Sequence, residues 1–204
     1  MRKLYEVVEV FYSIQGEGMN AGRPAVFIRF AGCDEACPFC DEGNLKGEGY
    51  TCAELFAKVK KVMPEKLVNN AYPLIVLTGG EPTLHNLVPI VNCLHEAFPC
   101  IQVAVETNGN NYVAKEIDFV TCSPKQDWNA VGTFAEKAPD EWKFLMQADG
   151  KFLVPPANFN KLSGRRFVQP LWESPSAMRA AIDYCKKQPR FTLSAQLHKY
   201  IGVE

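Results

Sequence analysis

Three cysteines with metal-binding spacing are the residues most able to do chemistry. Cys33, Cys37 and Cys40 form a C-x3-C-x2-C motif. Thiolates at this spacing can bind one side of a metal centre, because the turns of a short loop bring the sulfurs to a common point. A closed zinc site needs a fourth ligand, and no second C-x2-C or H-x3-H motif supplies it. The motif therefore favours an iron–sulfur cluster with one iron open to a small molecule, and three unligated thiols in a surface loop are the alternative.

The elements that must position this motif alternate between strands and helices. Eight strands are predicted, at residues 7–11, 25–30, 74–77, 101–105, 119–122, 142–146, 167–168 and 191–197. One helix begins after Thr51, which forms a capping box with Glu54, and a second carries an apolar stripe over residues 87–98. A third begins at Ser174-Pro175. The cysteine motif thus follows directly on the second strand.

Strand–helix–strand alternation predicts right-handed crossovers and a mainly parallel sheet. A complete eight-fold barrel takes about 250 residues, and this chain has 204. We therefore expect an α/β fold, an abbreviated and incomplete (β/α) barrel, built as a single domain over residues 1–204; a doubly wound sheet is the alternative. In either fold, ligands bind at the carboxyl ends of the strands. The unusual segments of this sequence follow predicted strands, at residues 32–33, 78–82, 106–109, 123–125 and 169–170.

Composition excludes several classes of protein. The chain has 22 Lys and Arg against 23 Asp and Glu, so no overall field draws it to nucleic acid or anionic lipid. It contains neither an export signal nor the run of about 18 apolar residues that a membrane-spanning helix needs. We expect a cytoplasmic protein that binds no nucleic acid directly and no membrane.

In such a protein the cysteines are expected to be thiols or metal ligands rather than disulfides. Five cysteines outside the motif are predicted to be small hydrophobic residues without chemistry: Cys52, Cys93, Cys100, Cys122 and Cys185.

Four further segments, together with the cysteine motif, carry a family resemblance. C-x3-C-x2-C after a first barrel strand resembles the radical S-adenosylmethionine (SAM) superfamily. The sequences SIQGEG at residues 13–18, TGGEP at 78–82, SPK at 123–125 and QLHKY at 196–200 resemble the 7-carboxy-7-deazaguanine synthase family. The first and the last are specific to that family, and the resemblance spans residues 12–203.

This resemblance implies a radical SAM carbon–nitrogen lyase of queuosine and 7-deazapurine biosynthesis. Cys33, Cys37 and Cys40 would hold a [4Fe–4S] cluster, and its open iron would bind SAM. An external electron donor, flavodoxin-like or a chemical reductant, would reduce the cluster, and the radical made from SAM would start the reaction. The substrate, 6-carboxy-5,6,7,8-tetrahydropterin, would lose ammonia to give 7-carboxy-7-deazaguanine. No residue is assigned as a general acid or base, and the family's dimers imply a homodimer.

The resemblance also implies a set of SAM-binding residues. The turn Gly79-Gly80-Glu81 would receive the SAM ammonium, and the segment that begins at Glu106 would offer polar atoms to the ribose. A plain strand-ending turn and an ordinary Asn-Gly turn are the respective alternatives. The adenosyl part would be lined by Phe39, Asp41, Ser123, Pro124, Lys125, Gln169, Pro170, Leu171 and Trp172.

The substrate set centres on Arg29, which lies in an otherwise apolar predicted strand and so needs an anionic partner. The resemblance assigns it the substrate carboxylate, and a salt bridge with an acidic neighbour is the alternative. His198 would lie close to the substrate, or else be an ordinary surface or interior histidine. The other implied residues are Ile14, Gln15, Gly16, Glu17, Thr78 and Glu204, the last through the terminal carboxylate.

Glu42 departs from the family pattern, in which a Thr or Ser commonly helps to bind Mg²⁺. A carboxylate is a stronger Mg²⁺ ligand than a hydroxyl. Either the ion persists with altered geometry, or Glu42 points to solvent and the metal is lost.

Two other functions remain open: a radical SAM activase that generates a glycyl radical on a partner protein, and a zinc- or cluster-containing interaction protein without turnover. The segments SIQGEG and QLHKY argue against the activase.

Overall fold

The computed structural model describes residues 4–40, 46–65, 71–125, 137–155 and 163–203. Within these residues the strands form a single sheet. The strands are β1 (Tyr5–Ile14), β2 (Pro24–Phe30), β3 (Glu48–Tyr50), β4 (Leu74–Gly79), β5 (Val103–Thr107), β6 (Phe119–Cys122), β7 (Glu141–Met146), β8 (Arg165–Pro170) and β9 (Thr192–Leu193). The α-helices are α1 (Cys52–Val62), α2 (Val88–Ala97), α3 (Pro175–Lys187) and α4 (Leu197–Ile201).

The strand order is β3-β1-β2-β4-β5-β6-β7-β8-β9. From β2 through β4 to β9 every neighbouring pair is parallel, while β1 pairs antiparallel with both β2 and β3. These parallel strands follow chain order without the reversal that marks a doubly wound sheet. The sheet is open, and the prediction of an incomplete (β/α) barrel with mainly parallel strands is confirmed.

The two faces of the sheet have different chemistry because successive strand residues point to opposite sides. On the outer face, Ile28, Leu77 and Val105 pack against Leu55 of α1 and Ile90 of α2. Further along the same face, strands β6 to β8 pack against α3 through a second apolar cluster: Cys122, Trp142, Phe144, Met146, Val168 and Ala181.

The inner face changes from apolar to polar along the strands. Near the amino ends it is lined by a small apolar cluster that includes Ala25, Leu74, Val76 and Ala104. Strand alternation places polar side chains on the same face nearer the carboxyl ends: Arg29, Thr78, Glu106, Thr121, Lys143 and Gln169. Charged groups in such a position cost free energy unless they are paired, so this region needs a dedicated hydrogen-bond network.

Local sequence explains where the longer helices begin. The Thr51 hydroxyl accepts the Glu54 N–H at 3.3 Å, and the Glu54 carboxylate accepts the Thr51 N–H at 2.8 Å, which confirms the capping box. At α3 the Ser174 hydroxyl accepts the Ala177 N–H at 3.2 Å, and Pro175 occupies the first helical position. None of the described helices is long and apolar enough to cross a membrane.

The last predicted strand is wrong over most of its length. A strand was expected over residues 191–197, but β9 covers only Thr192–Leu193 and α4 begins at Leu197. The chain leaves the sheet because residues 194–196 make other contacts. The Ser194 hydroxyl donates to Gln169 Oε1 at 3.0 Å, and Gln196 Nε2 donates to Glu17 Oε1 at 3.0 Å. The end of the chain therefore serves the polar region of the inner face.

Candidate active site

A cluster of charged side chains, which we call the acid–lysine cluster, lies on the inner face and consists of Glu17, Glu106 and Lys143. Lys143 Nζ donates to Glu106 Oε2 at 2.9 Å and to Glu17 Oε2. The side chains of Lys143, Glu17 and Glu106 are only 8%, 15% and 19% exposed. Because water screens these charges little, each carboxylate depends on the ammonium.

The two carboxylates of this cluster have opposite pKa shifts. Burial alone would raise the pKa of Glu17, but the charge and hydrogen bond of Lys143, with Gln196 and His198, lower it to about 2. Burial raises the pKa of Glu106 to about 7, because the nearby Glu17 adds to the rise and Lys143 opposes it only in part. Glu17 is thus held as a carboxylate, while Glu106 can exchange a proton near neutral pH.

The glutamines around the cluster fix Glu17 further. Gln169 Nε2 and Gln196 Nε2 donate to Glu17 Oε1 at 2.9 Å and 3.0 Å. Gln15 Nε2 lies 3.4 Å from Glu106 Oε1, and Gln15 Oε1 accepts the Glu17 N–H at 3.1 Å. Glu106, which the sequence placed with SAM, therefore lies among residues predicted to bind the substrate.

The segments SIQGEG and QLHKY, 178 residues apart at their nearest ends, meet in space. The Leu197 N–H donates to the Gly16 carbonyl at 2.9 Å. A Cβ atom on Gly16 would lie 2.0 Å from Nδ1 of His198 and 2.7 Å from its backbone nitrogen. Only glycine allows this approach without displacing α4. His198 is therefore packed against the loop that carries Gln15 and Glu17, and its closeness to the substrate stays a prediction.

Glu141 anchors that loop to the sheet. Its buried carboxylate accepts the Met19 N–H at 2.8 Å and the Thr121 hydroxyl at 3.0 Å. Gly18 has a φ of 62°, and a Cβ there would lie 2.0 Å from Glu141 Oε1. The Gly18 N–H donates to Ser194 Oγ at 3.1 Å. These contacts hold the loop at one place over the inner face.

The cysteine loop, residues 31–40, packs against the Gly79-Gly80 turn. The Gly80 N–H donates to the Phe30 carbonyl at 3.0 Å, and the Glu81 N–H donates to the Gly32 carbonyl at 2.8 Å. A Cβ on Gly80 would lie 1.9 Å from the Gly32 oxygen. Gly80 is therefore required by the close approach of the cysteine loop, and Gly79 by the close approach of β2, since a Cβ on Gly79 would lie 2.2 Å from the Phe30 oxygen.

Glu81 ties the same turn to the end of β5. Its side chain is 1% exposed and accepts four hydrogen bonds: from the Thr83 N–H at 3.0 Å, the Thr83 hydroxyl at 2.5 Å, the Thr107 hydroxyl at 2.8 Å and the Asn108 N–H at 2.7 Å. Burial raises the pKa of Glu81 against the effect of these donors. Its carboxylate has a structural role in aligning the two strand ends.

Asparagines after β5 hold the cysteine loop from the other side. Asn108 and Asn111 donate to the two oxygens of Asp34 at 2.7 Å and 2.9 Å, and Asn110 donates to Glu35 at 2.6 Å. The Asn110 N–H also donates to Asn108 Oδ1 at 2.9 Å, and Gly109 has a φ of 87°. The Asn-Gly turn that the sequence left as an alternative is thus present, and its side chains bind the cysteine loop.

The three thiols provide a donor set that suits an iron–sulfur cluster. Cys33, Cys37 and Cys40 are free and at least partly exposed, on one loop at the carboxyl end of β2. Burial raises the pKa of the Cys33 and Cys37 thiols, and Lys125 opposes the rise at Cys37. Among the described residues, no group of three or more His, Cys, Asp or Glu side chains is arranged to hold a metal ion. The donor chemistry and the place of the loop fit the cluster.

Lys125 lies between the cysteine loop and the acid–lysine cluster. Its Nζ donates to Ser123 Oγ at 2.6 Å. Burial lowers the pKa of Lys125, and the charge of Lys143 lowers it further. Charged groups of both the cysteine loop and the acid–lysine cluster thus act on Lys125, since Cys37 and Glu17 also shift its pKa.

Arg29 has an acidic partner within the protein. Its Nε donates to Glu9 Oε1 at 2.7 Å, and its guanidinium carbon lies 5.5 Å from the centre of the Phe11 ring. Thr78 is its neighbour in the register of β2 and β4. The salt bridge that the sequence left as an alternative is therefore present, and the substrate carboxylate stays a prediction.

A cavity of about 260 Å³ lies at the carboxyl end of β8 and is lined by Pro170, Leu171 and Trp172 with Met178, Gln196 and Tyr200. The rings of Trp172 and Tyr200 meet edge to face at 5.0 Å. Three residues predicted for the adenosyl part of SAM thus share one cavity, whereas the side chain of Gln169 binds Glu17.

The remaining predicted site residues lie elsewhere. Phe39 is half-buried in the cysteine loop, Pro124 is buried, and Ile14 ends β1. Asp41, Glu42 and Glu204 lie outside the described residues.

Sequence reasoning missed Lys143 and Glu141. Lys143 lies between Trp142 and Phe144 in an apolar strand, the same signal that identified Arg29. A charge in such a strand indicates a buried partner, so the pattern could have shown Lys143. Nothing in the sequence indicates that Glu141 holds the loop after β1.

Curated relatives match nearly the whole chain. The chain is 38% identical to the 7-carboxy-7-deazaguanine synthase of Burkholderia multivorans, covering 98% of this chain and 99% of the relative. It is 37% identical to that of Bacteroides thetaiotaomicron, covering 100% and 99%, and 36% identical to that of Nitratidesulfovibrio vulgaris, covering 98% and 99%.

The fold matches a solved structure as well. The crystal structure of QueE from Escherichia coli superposes with a TM-score of 0.73 at 24% sequence identity, covering 96% of this chain and 95% of that one. No family model matches the sequence. On the sequence identities and their coverage, the chain belongs to the 7-carboxy-7-deazaguanine synthase family.

Proposed function

We propose that this protein is a radical SAM lyase that converts 6-carboxy-5,6,7,8-tetrahydropterin to 7-carboxy-7-deazaguanine with loss of ammonia, in 7-deazapurine (queuosine-type) biosynthesis. The observation that carries the proposal is the contact between the SIQGEG and QLHKY segments, which are joined at Gly16 and Leu197 and converge on Glu17. Membership of the synthase family supports the same reaction, whereas no observation favours a glycyl-radical activase.

Cys33, Cys37 and Cys40 would hold the [4Fe–4S] cluster. When bound, the reduced cluster and SAM supply the radical that starts the reaction. The chain's own part is to position and enclose the reactants. Gly79 and Gly80 bring backbone groups to the edge of the cysteine loop, while the cavity at Pro170, Leu171 and Trp172 offers an apolar surface to a flat ring.

The acid–lysine cluster would bind the pterin. A pterin ring presents N–H groups along one edge, and carboxylates and amide oxygens are their natural acceptors. Glu17 is ionised, is held by three donors and lies on the inner face beside Gln15. Arg29 would bind the substrate carboxylate while keeping its bond to Glu9. Thr78, His198 and the terminal carboxylate of Glu204 complete the proposed set, with Ile14 and Gly16 offering backbone groups.

Enclosure matters because a radical reacts with whatever it meets, and a closed pocket excludes water and side reactions. The loop after β1 is fixed at both ends of its turn, by Glu141 at Met19 and by Leu197 at Gly16. Held in this way, the loop would form one wall of the pocket on the inner face.

A Mg²⁺ ion at Glu42 is part of the proposal. The Glu42 carboxylate would hold the ion in place of the family's hydroxyl, and the ion would supply positive charge for the substrate carboxylate. Adding Mg²⁺ to metal-depleted, cluster-loaded enzyme is then expected to raise the turnover rate. An unchanged rate would remove Mg²⁺ from the mechanism.

The remaining proposals concern the setting of the reaction. We infer a single radical SAM core domain over residues 1–204, a homodimer, an external flavodoxin-like or chemical electron donor, and a cytoplasmic location without direct contact with nucleic acid or membrane. The near-neutral charge of the chain supports the last point.

The test is anaerobic turnover by reconstituted protein, with Cys37→Ala as the variant and Cys100→Ala as its matched control. Cys100 is exposed and lies outside the cysteine loop. We expect 7-carboxy-7-deazaguanine from the wild type and from Cys100→Ala, and none from Cys37→Ala. Product from Cys37→Ala at the wild-type rate would contradict the cluster assignment, and no product from cluster-loaded wild type would contradict the function.

A further inference from the structure

Lys143 is the charge on which the acid–lysine cluster depends. It projects from the middle of β7 and is buried, and its ammonium bonds to Glu17 from the loop after β1 and to Glu106 from β5. Three segments of the inner face thus meet at one nitrogen. Further charged groups act on this cluster: Glu141 from the start of β7, Lys125 from the segment after β6, and His198 from α4.

We propose that Lys143 is a positioning residue for the substrate: by binding Glu17 and Glu106 together, its ammonium holds both carboxylates where they face the N–H edge of the pterin. This inference rests on the proposed function and adds a residue that the family resemblance did not assign. The substrate class it selects is a flat heterocycle with several N–H donors on one edge.

The geometry indicates positioning rather than simple charge balance. Glu17 Oε2 binds Lys143, while its Oε1 binds Gln169 and Gln196, so the carboxylate plane is defined by donors at both oxygens. Glu106 is held by Lys143 at one oxygen and approached by Gln15 at the other. Both carboxylates bond to the same nitrogen, so removing the ammonium would leave two buried carboxylates close together. Two like charges in such a site do not both stay ionised.

The sign of the pH effect follows from this arrangement. In the wild type Glu17 has a pKa of about 2 and Glu106 a pKa of about 7, so Glu17 is a carboxylate throughout the range from about pH 6 to 9. Without Lys143 both pKa values rise, because the opposing positive charge is gone. In a variant with a neutral residue at position 143, the affinity for the substrate should then increase as pH rises through this range. The midpoint of that increase should lie at a higher pH than the midpoint of any pH dependence in the wild type.

The test compares Lys143→Met, which keeps the length of the side chain, with Lys143→Arg, which keeps the charge, and with Lys151→Met as the control. The side chain of Lys151 is 80% exposed, and its ammonium lies 3.7 Å from a carboxylate oxygen of Asp149, which is not part of the cluster. Binding of the tetrahydropterin and of SAM to reconstituted protein is measured separately by calorimetry from about pH 6 to pH 9. We expect Lys143→Met to weaken pterin binding about 30-fold or more near pH 7, with SAM binding and the control unchanged and Lys143→Arg intermediate.

Wild-type pterin affinity in a folded Lys143→Met variant would overturn the proposal, and so would equal losses for pterin and SAM, which a merely structural role predicts. If Lys143→Met does not fold, Lys143→Met/Glu106→Gln removes one acid with the base. That double variant is expected to fold, and to bind pterin over a wider pH range than Lys143→Met, in which both carboxylates remain without the ammonium. Wild-type pterin affinity in the double variant would again overturn the proposal. Failure of the proposed function has a different signature, since wild-type protein would then not bind the tetrahydropterin at all.

Discussion

Replacing Gly16 with alanine should separate the two segments that build the proposed substrate site. The added Cβ would lie 2.7 Å from the His198 backbone nitrogen, whereas nonbonded heavy atoms settle at about 3.5 Å or more. Because the obstacle is backbone, no change of rotamer relieves it, and the start of α4 must move by about 1 Å. The hydrogen bond from Leu197 N–H to the Gly16 carbonyl, now 2.9 Å, would exceed its normal range of about 2.7–3.2 Å.

The magnitude follows from these two losses. Overpacking of this kind costs about 1–3 kcal/mol, and a backbone hydrogen bond contributes about 1 kcal/mol, so Gly16→Ala should lower the free energy of unfolding by about 2–4 kcal/mol. Moving α4 also displaces Gln196, which binds Glu17. A displacement of about 1 Å in a positioning group can cost about 100-fold in rate, and we expect a loss of that order in kcat/KM for the tetrahydropterin.

The assay pairs denaturant unfolding with anaerobic steady-state kinetics, and Gly22→Ala is the control. Gly22 lies in the same loop at a φ of 87°, but a Cβ there would have no neighbour within 4 Å. Its substitution should cost about 1–2 kcal/mol of stability through backbone strain alone and leave kcat/KM unchanged. Wild-type stability and wild-type kcat/KM in Gly16→Ala would refute the reasoning, as would equal kinetic losses in both variants.

Three further predictions concern the groups around the site. Glu81→Ala should destabilise the protein by about 2–5 kcal/mol in urea unfolding, because buried donors lose their acceptor; a change below about 1 kcal/mol would show that the carboxylate does not tie the two strand ends. Asn110→Ala releases Glu35 of the cysteine loop and should speed the loss of iron from reconstituted protein under a chelator, whereas exposed Asn92→Ala should not; equal rates would refute the anchoring role. The pKa of Glu106 is raised from 4.5 to about 7, so the folded state binds more protons than the unfolded state between these values and stability falls as pH rises through them. Unfolding experiments from pH 4.5 to 7 should show a steeper decline in the wild type than in Glu106→Gln, because Glu81 and Glu141, whose pKa values are also raised, contribute equally to both; parallel curves would contradict the role of Glu106.

The sheet was largely predictable because local pattern and fold agree in its centre. The runs at β2, β4, β6 and β7 are mostly apolar, so their existence follows from sequence, and the predicted carboxyl ends of β2, β6 and β7 are correct. Strand β4 runs two residues beyond its predicted end, to Gly79. The long antiparallel β1 and the short β3 were not fully predicted, since strand pairing at an edge depends on partners that local pattern does not identify.

The site was predictable as a set of motifs but not as a set of contacts. SIQGEG and QLHKY identify their residues by family resemblance, yet nothing in either segment shows that Gly16 packs on His198. The error at residues 194–196 has the same origin, because tertiary hydrogen bonds from Ser194 and Gln196 override the local preference for a strand. Long-range polar contacts have no periodicity by which a sequence could reveal them.

The cysteines outside the motif illustrate the same limit. Cys52 and Cys93 were treated as separate helix residues, but their sulfurs lie 3.4 Å apart where α1 and α2 pack together. Burial and the neighbouring Cys93 raise the pKa of Cys52 to about 11. A thiol with that pKa is little ionised near neutral pH, and the absence of chemistry at the five cysteines stays a prediction.

The most direct measurement is the ratio of ammonia released to 7-carboxy-7-deazaguanine formed when cluster-loaded protein is incubated anaerobically with the tetrahydropterin, SAM and a reductant. The substrate and this product differ by one molecule of ammonia, so the account predicts equal amounts of the two. Two results would contradict the account: cluster-loaded protein that forms no 7-carboxy-7-deazaguanine, and ammonia released without formation of 7-carboxy-7-deazaguanine.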